Sequence, residues 1–313
     1  MKVNVFNQIN VRKSERNYII MTEQLQILED PKYIPVHEFG FVGLVEVMGD
    51  DSTPPNRARI SYGKGTKSVS DDRNLLRYLI RNKHTTPVEM IELVFHLKMP
   101  IFVMRQHVRH RMSSMNEYSA RYSEMSDEFY TPIFEDIALQ SKTNKQGRSL
   151  EEEDAFEFNE KMDIQTLMNS AYSKSYETYR ALLDKGLARE LARSVLPVSN
   201  YTECFWKIDL HNFFHFCKLR RDPHAQKEIR DFADAMFQLV EFKLPLCCEA
   251  FNDYLFEAKT FSRMEMVILK AIISEGKWKG LLGAEGENFN ETFGLTKREF
   301  DEFIAKLGLN NIA

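Results

Sequence analysis

The sequence predicts an α+β fold with long helices, and three observations carry that expectation. Residues 41–50 and 91–97 alternate apolar and polar side chains with the period of a strand, and a further strand-like stretch opens the segment 199–220. Residues 154–185 and 223–244 carry the longer period of amphipathic helices instead. The glycine-rich turns of a nucleotide-binding βαβ unit, GxGxxG and the P-loop, do not occur, and neither does the GxSxG elbow of an α/β-hydrolase.

The elements follow in order. Residues 1–40 are polar and irregular, an N-terminal extension. The strand "FVGLVEVMGD" ends in the turn-rich "DDSTPPN". From Asp71 a helix carries apolar residues at 75, 76, 79 and 80 and closes before Pro87. "VEMIELVFHLKM" alternates Ile91, Leu93, Phe95 and Leu97 as a strand, and Pro100 starts a short helix. A polar loop at 139–153 precedes the long helix to Gly186, and "LARELARSVLP" reads as another helix stopped before Pro197. After residue 255 the character changes. Two helices open with capping boxes, Ser262 with Glu265 and Thr296 with Glu299, and form a helical C-terminal extension at 256–313.

Composition narrows the function. The chain has 313 residues, 43% of them hydrophobic, enough to bury a sizeable core. Its 42 Lys and Arg against 46 Asp and Glu leave a net charge of −4, without the basic excess of a duplex-binding protein. No apolar run reaches the roughly 20 residues that span a bilayer. The N-terminus lacks the apolar core of a secretory signal, and Cys204, Cys217, Cys247 and Cys248 show no zinc spacing. Reduced thiols in the cytoplasm are expected.

Against that acidic background, "RHRMSSMNEYSARY" (109–122) concentrates Arg109, His110, Arg111 and Arg121 with hydroxyl and amide groups. Arg105 and Arg109 share one helical face and repel unless an anion lies beside them. Arginine's planar fork binds phosphate or carboxylate bidentately, so the segment reads as an anion site. A nucleic-acid-binding module using the arginine-rich segment, or a solvated charged face, are the alternatives. His211 and His215 lie four apart with Asp209 just ahead, a spacing that also serves metal ligation. No Glu adjoins the first histidine, and no metal is expected. Arg220 lies five residues past His215, and His224 stands near the start of the next helix, where anions are favoured. His84 and Glu89 bracket a turn in which Thr86 precedes Pro87. Ser119 is a weak nucleophile without a neighbouring base.

Taken together, these residues resemble the flavin-dependent thymidylate synthases. "RHRMSSMNEYS" is similar to the family's signature. "HTTPVEMIELVFHLKMPIFVMRQHVRHR" is similar to the segment leading into it, and "LARSVLPVSNYTECFWKIDLHNFFHFCKLRRDPHAQKEI" to its second block. The resemblance covers residues 41–255 and implies that family's fold, with a mixed or antiparallel sheet. It implies reductive methylation of dUMP to dTMP, with methylenetetrahydrofolate as carbon donor and NADPH reducing FAD, in a homotetramer with shared active sites. It places Ser61, His84, Thr86, Glu89, Arg109, His110, Arg111, Glu117, Asp209, His211, His215 and His224 on the cofactor side. It places Gln106, Arg109, Glu117, Tyr118, Ser119, Ala120, Arg121 and Arg193 around the nucleotide, and Arg220 beside the uracil ring as the catalytic arginine. Met90 stands where many members carry histidine, and Ala120 where many carry glycine.

Overall fold

The computed structural model describes residues 32–60, 72–142, 145–149 and 156–274, together with 296, 298 and 299. Five strands form one antiparallel sheet: β1 (Tyr33–Val36), β2 (Gly40–Met48), β3 (Glu92–Pro100), β4 (Ser113–Glu117) and β5 (Tyr201–Asp209), in the order β1-β2-β3-β5-β4. The central pair, β3 and β5, is in register along its whole length, from Glu92 opposite Asp209 to Pro100 opposite Tyr201.

The alternation seen in the sequence is the cause. Leu93, Phe95, Leu97 and Met99 on β3, with Cys204, Trp206 and Ile208 on β5, all turn to one face and are buried. Helices cover that face: α2 (Asp72–Arg81), α3 (Ile101–His107), α6 (Leu210–Arg220), α7 (Lys227–Lys243) and α8 (Pro245–Phe251). Phe95 stacks on Phe213 of α6 with ring centroids 5.4 Å apart, and Phe214 stacks on Phe251 of α8 at 4.5 Å. Each such fully buried aromatic contributes roughly 1.5–3 kcal/mol of transfer free energy.

Further helices among the described residues are α1 (Thr53–Arg59), α4 (Phe158–Asp184), the single turn α5 (Arg189–Ala192) and α9 (Arg263–Ser274). The long helix begins at Phe158, a turn later than its apolar pattern implies, because Glu157 and Glu160 close a capping box there. Gly186, at φ 81°, takes the left-handed conformation that ends it.

Three expectations need correction. Residues 33–36 are not irregular extension but strand β1, whose pairing with β2 overrides a weak local pattern. "TPPN" does not merely end β2; Pro54 and Pro55 open α1, where the missing N–H groups have no intrahelical partner to lose. "LARELARSVLP" forms one α-turn and then a 3-10 turn, Arg193–Val195, rather than a full helix.

The chain divides into two compact units after Glu257. In the second unit both capping boxes are reciprocal. Glu265 Oε2 accepts the Ser262 N–H at 2.7 Å and Ser262 Oγ accepts that of Glu265 at 3.3 Å, and Thr296 and Glu299 repeat the pattern at the same distances.

Candidate active site

At one end of the sheet β3 begins, β5 ends and β4 begins, with Glu92 opposite Asp209 and Ser113 opposite Ile208. Three connections therefore meet there: the 3-10 turn Val88–Met90, the exit of α3 through residues 108–112, and the start of α6. The Leu210 N–H donates to the Ile91 carbonyl at 2.9 Å, locking the first connection to the third. Asp209 is spent as the N-cap of α6, accepting the Asn212 N–H at 3.0 Å and its Nδ2 at 2.7 Å. In this way the segments "HTTPVE", "RHR" and "DLHNFFH", far apart in sequence, are gathered at one sheet end.

Arg220, the last residue of α6, joins that helix to α3 and its exit. Arg220 Nε donates to His110 Nε2 at 3.0 Å, and its terminal nitrogen donates to the Gln106 carbonyl at 3.3 Å. A guanidinium has no acceptor, so His110 Nε2 must hold a lone pair and the proton must sit on Nδ1. Burial, then the charge of Arg220, then His215, lower the His110 pKa to about 4, which agrees with a neutral ring. The His215 ring lies 6.1 Å from that of His110. Arg220 itself is pulled below its ordinary value by burial and by Arg109. Two of its five N–H groups are used on the protein, and three are left for a ligand. Among the described residues no carboxylate pairs with Arg109 or Arg220, so this corner carries uncompensated positive charge.

His107 underlies the corner. It is fully buried, packed on Trp206 at 4.2 Å and Phe216 at 5.1 Å, and neither ring nitrogen has a protein partner. Burial, with His110 and Arg220 adding to it, pushes its pKa to about 3.

A second group of sequence-predicted residues stands at the opposite end of β4, about 13 Å along a five-residue strand. Glu117 accepts the Thr202 hydroxyl at 2.7 Å, and the Tyr118 hydroxyl donates to the Glu124 carbonyl at 2.8 Å. Ala120 is buried with Tyr179 of α4 and Ala192 of α5, which brings Arg121 onto Glu190 at 3.3 Å and next to the turn bearing Arg193. Ala120 does not have a positive φ, so it takes the place of glycine without backbone strain. Ser119 Oγ accepts the Arg121 N–H at 3.4 Å, a turn contact rather than a nucleophile–base pair.

Others stand apart. His84 is exposed and stacks on Tyr78 at 5.7 Å; Thr86, Glu89, Met90 and Arg111 are exposed. His211 is half-buried on α6, and His224 is exposed and bonded to Asp222. Ser61 lies outside the described residues. No group of three or more potential metal ligands converges among the described residues.

The sequence reading missed Gln226 and Glu228. Gln106 donates to the Gln226 side chain, which in turn donates to the buried Glu228 at 2.8 Å. A glutamate in the first turn of α7 reads simply as a favourable partner of the helix dipole, and nothing local shows that it is buried.

Residues 43–246, from β2 into α8, match the family described as "Thymidylate synthase complementing protein". The chain is 48% identical over 260 residues to the flavin-dependent thymidylate synthase of Treponema denticola, covering 83% of this chain and 96% of that one. It is 44% identical over 283 residues to the enzyme of the same name from Dictyostelium discoideum, covering 87% and 86%. Among solved structures, the UMP/dUMP methylase PolB from Streptomyces cacaoi, bound with 5-Br dUMP, matches with a TM-score of 0.62 at 30% identity over 71% of this chain and 98% of that one. The matched region contains the whole sheet end and both residue groups on β4, so likeness and geometry meet in the same part of the molecule. This chain is an enzyme belonging to the flavin-dependent thymidylate synthases.

Proposed function

We propose that the chain converts dUMP to dTMP by reductive methylation, with methylenetetrahydrofolate as carbon donor and NADPH as reductant of bound FAD. The observation that carries this reading is the Arg220–His110–Gln106 corner. A cationic donor there, held by two protein contacts with three N–H groups left over, suits a pyrimidine that must gain negative charge. The unpaired positive charge of Arg109 and Arg220 fits a phosphate-bearing cofactor. FAD, when bound, supplies the hydride.

The protein's own part is placement and electrostatics. Arg220 stabilises charge on the uracil ring, which makes its C5 nucleophilic without a covalent thiol. Neutral His110 offers Nδ1–H to an acceptor while its Nε2 fixes Arg220. Arg109 and Arg111, with Ser61, His84, Thr86, Glu89, Asp209, His211, His215 and His224, form the cofactor side. Tyr118, Ser119, Ala120, Arg121 and Arg193 cradle the nucleotide, and Glu117 serves both nucleotide and cofactor.

The placement of that second group at the far end of β4 supports a homotetramer in which subunits share active sites. The exposed edge strand and the long, mostly exposed α4, with Phe158 62% and Leu167 71% exposed, supply surface for such contacts. The catalytic domain is the unit built on the sheet, flanked by an N-terminal extension and, after residue 255, a C-terminal extension in which Arg263–Ser274 form α9; most of both extensions lies outside the described residues. Buried, unpaired cysteines support a cytoplasmic setting, and no described helix is long and apolar enough to cross a membrane.

The test is direct. Purified protein reconstituted with FAD forms dTMP from dUMP, methylenetetrahydrofolate and NADPH; absence of dTMP overturns the reading. Arg220→Ala lowers thymidylate formation roughly 10²–10³-fold with flavin content retained. Near-normal turnover in that variant removes the role given to Arg220.

A further inference from the structure

Gln226 occupies the N-cap position of α7, yet its side chain does not cap that helix. Its amide joins two other groups. Nε2 donates to Glu228 Oε2 at 2.8 Å, and Oε1 accepts from Gln106 Nε2. Glu228 is 2% exposed, and its other oxygen accepts the Tyr130 hydroxyl at 2.8 Å and the Arg148 guanidinium. Burial pushes this carboxyl up, but those donors outweigh it and hold the group below its ordinary value, as a carboxylate. A carboxylate only accepts, so Gln226 must turn its NH2 toward it. The Gln226 carbonyl then faces Gln106, and Gln106 must turn its NH2 toward Gln226. One buried charge thus fixes the orientation of two amides in succession. The second belongs to the residue whose main-chain carbonyl receives Arg220.

We propose that Gln226 is a positioning residue of the thymidylate-forming site. Backed by Glu228, it holds Gln106 and the last turn of α3 in place, and through them the guanidinium of Arg220. The inference rests on the role given above to Arg220. It differs from that reading in assigning function to a side chain that the reading gives to neither ligand.

The measurements use the FAD-loaded enzyme: the dissociation constant of dUMP, read from the change it causes in flavin absorption, together with kcat and KM for thymidylate formation. Gln226→Met removes both hydrogen bonds at nearly constant volume. It weakens dUMP binding or lowers kcat/KM for dUMP about tenfold. Flavin content, flavin reduction by NADPH without nucleotide, and melting temperature stay at wild-type values. In the double variant Gln226→Met/Arg220→Ala, dUMP binds no more weakly than to Arg220→Ala alone. Wild-type values in Gln226→Met overturn the inference. So does a loss that adds in full on the Arg220→Ala background, or one that tracks a lowered melting temperature. A wild-type enzyme that forms no thymidylate overturns the functional reading and the inference with it. An active wild type with an unaffected Gln226→Met overturns the inference alone.

Discussion

His107 and His110 sit one helical turn apart, and burial is the first cause that holds both neutral. His110 gives up its Nε2 lone pair to Arg220, whereas His107 is enclosed by Trp206 and Phe216. Their folded-state pKa values, about 4 and about 3, lie below the roughly 6.5 of an unfolded chain. Between those limits the unfolded chain binds more protons than the native one, so stability rises with pH. The contribution is complete above about pH 6.5 and is lost as pH falls through the folded values. For fully buried His107 the loss on going from pH 7 to pH 5 is about 2 kcal/mol. His107→Leu, which cannot titrate, shows a flatter dependence of urea-unfolding free energy over that interval. A slope equal to the wild type's shows that His107 does not carry the acid sensitivity.

At the scale of elements, the sheet depends on close approach as much as on pairing. A Cβ added at Gly40 meets the Val36 carbonyl oxygen at 2.5 Å and that of Lys98 at 2.8 Å, both backbone atoms that cannot swing aside. Gly40→Ala therefore costs about 1–3 kcal/mol, measurable by denaturant unfolding, as β1 and β3 move away from β2. A stability equal to the wild type's means that the strands separate freely there. β4 shows the opposite case. Its residues "SSMNE" lack an apolar stripe and are mostly exposed, and the strand exists because β5 offers it a free edge. That pairing sends the signature's two halves to opposite ends of one strand. Element formation thereby controls which residues share a site.

For the molecule as a whole, core burial decides what the cysteines can do. All four are free and buried. Burial pushes the Cys204 thiol up to about 12, and Cys217, Cys247 and Cys248 also lie above the ordinary range. A thiolate nucleophile is unavailable in such surroundings. Iodoacetamide at neutral pH should leave thymidylate formation unchanged and the native protein unlabelled. Inactivation that follows labelling of one cysteine would contradict the thiol-independent chemistry proposed for Arg220.

Much of this was legible before folding. The period-2 pattern of Leu93, Phe95 and Leu97 and the helical period of residues 223–244 each report which face of a local element must be buried, and the structure buries those faces. The capping boxes at Ser262 and Thr296 were equally readable, since their partners lie three residues apart. Family membership followed from residue types in order along the chain, and the matched region agrees with it. What the sequence could not determine depends on groups brought from far away. Strand β1 needs β2, and β4 needs β5. The proton on His110 needs Arg220, 110 positions along the chain. Buried Glu228 needs Tyr130 and Arg148, distant in sequence, as its hydrogen-bond donors. Periodicity and capping are properties of neighbours in sequence, so the chain itself determines them. Strand pairing, burial of charge and tautomer are set by neighbours in space, and only the tertiary structure decides them.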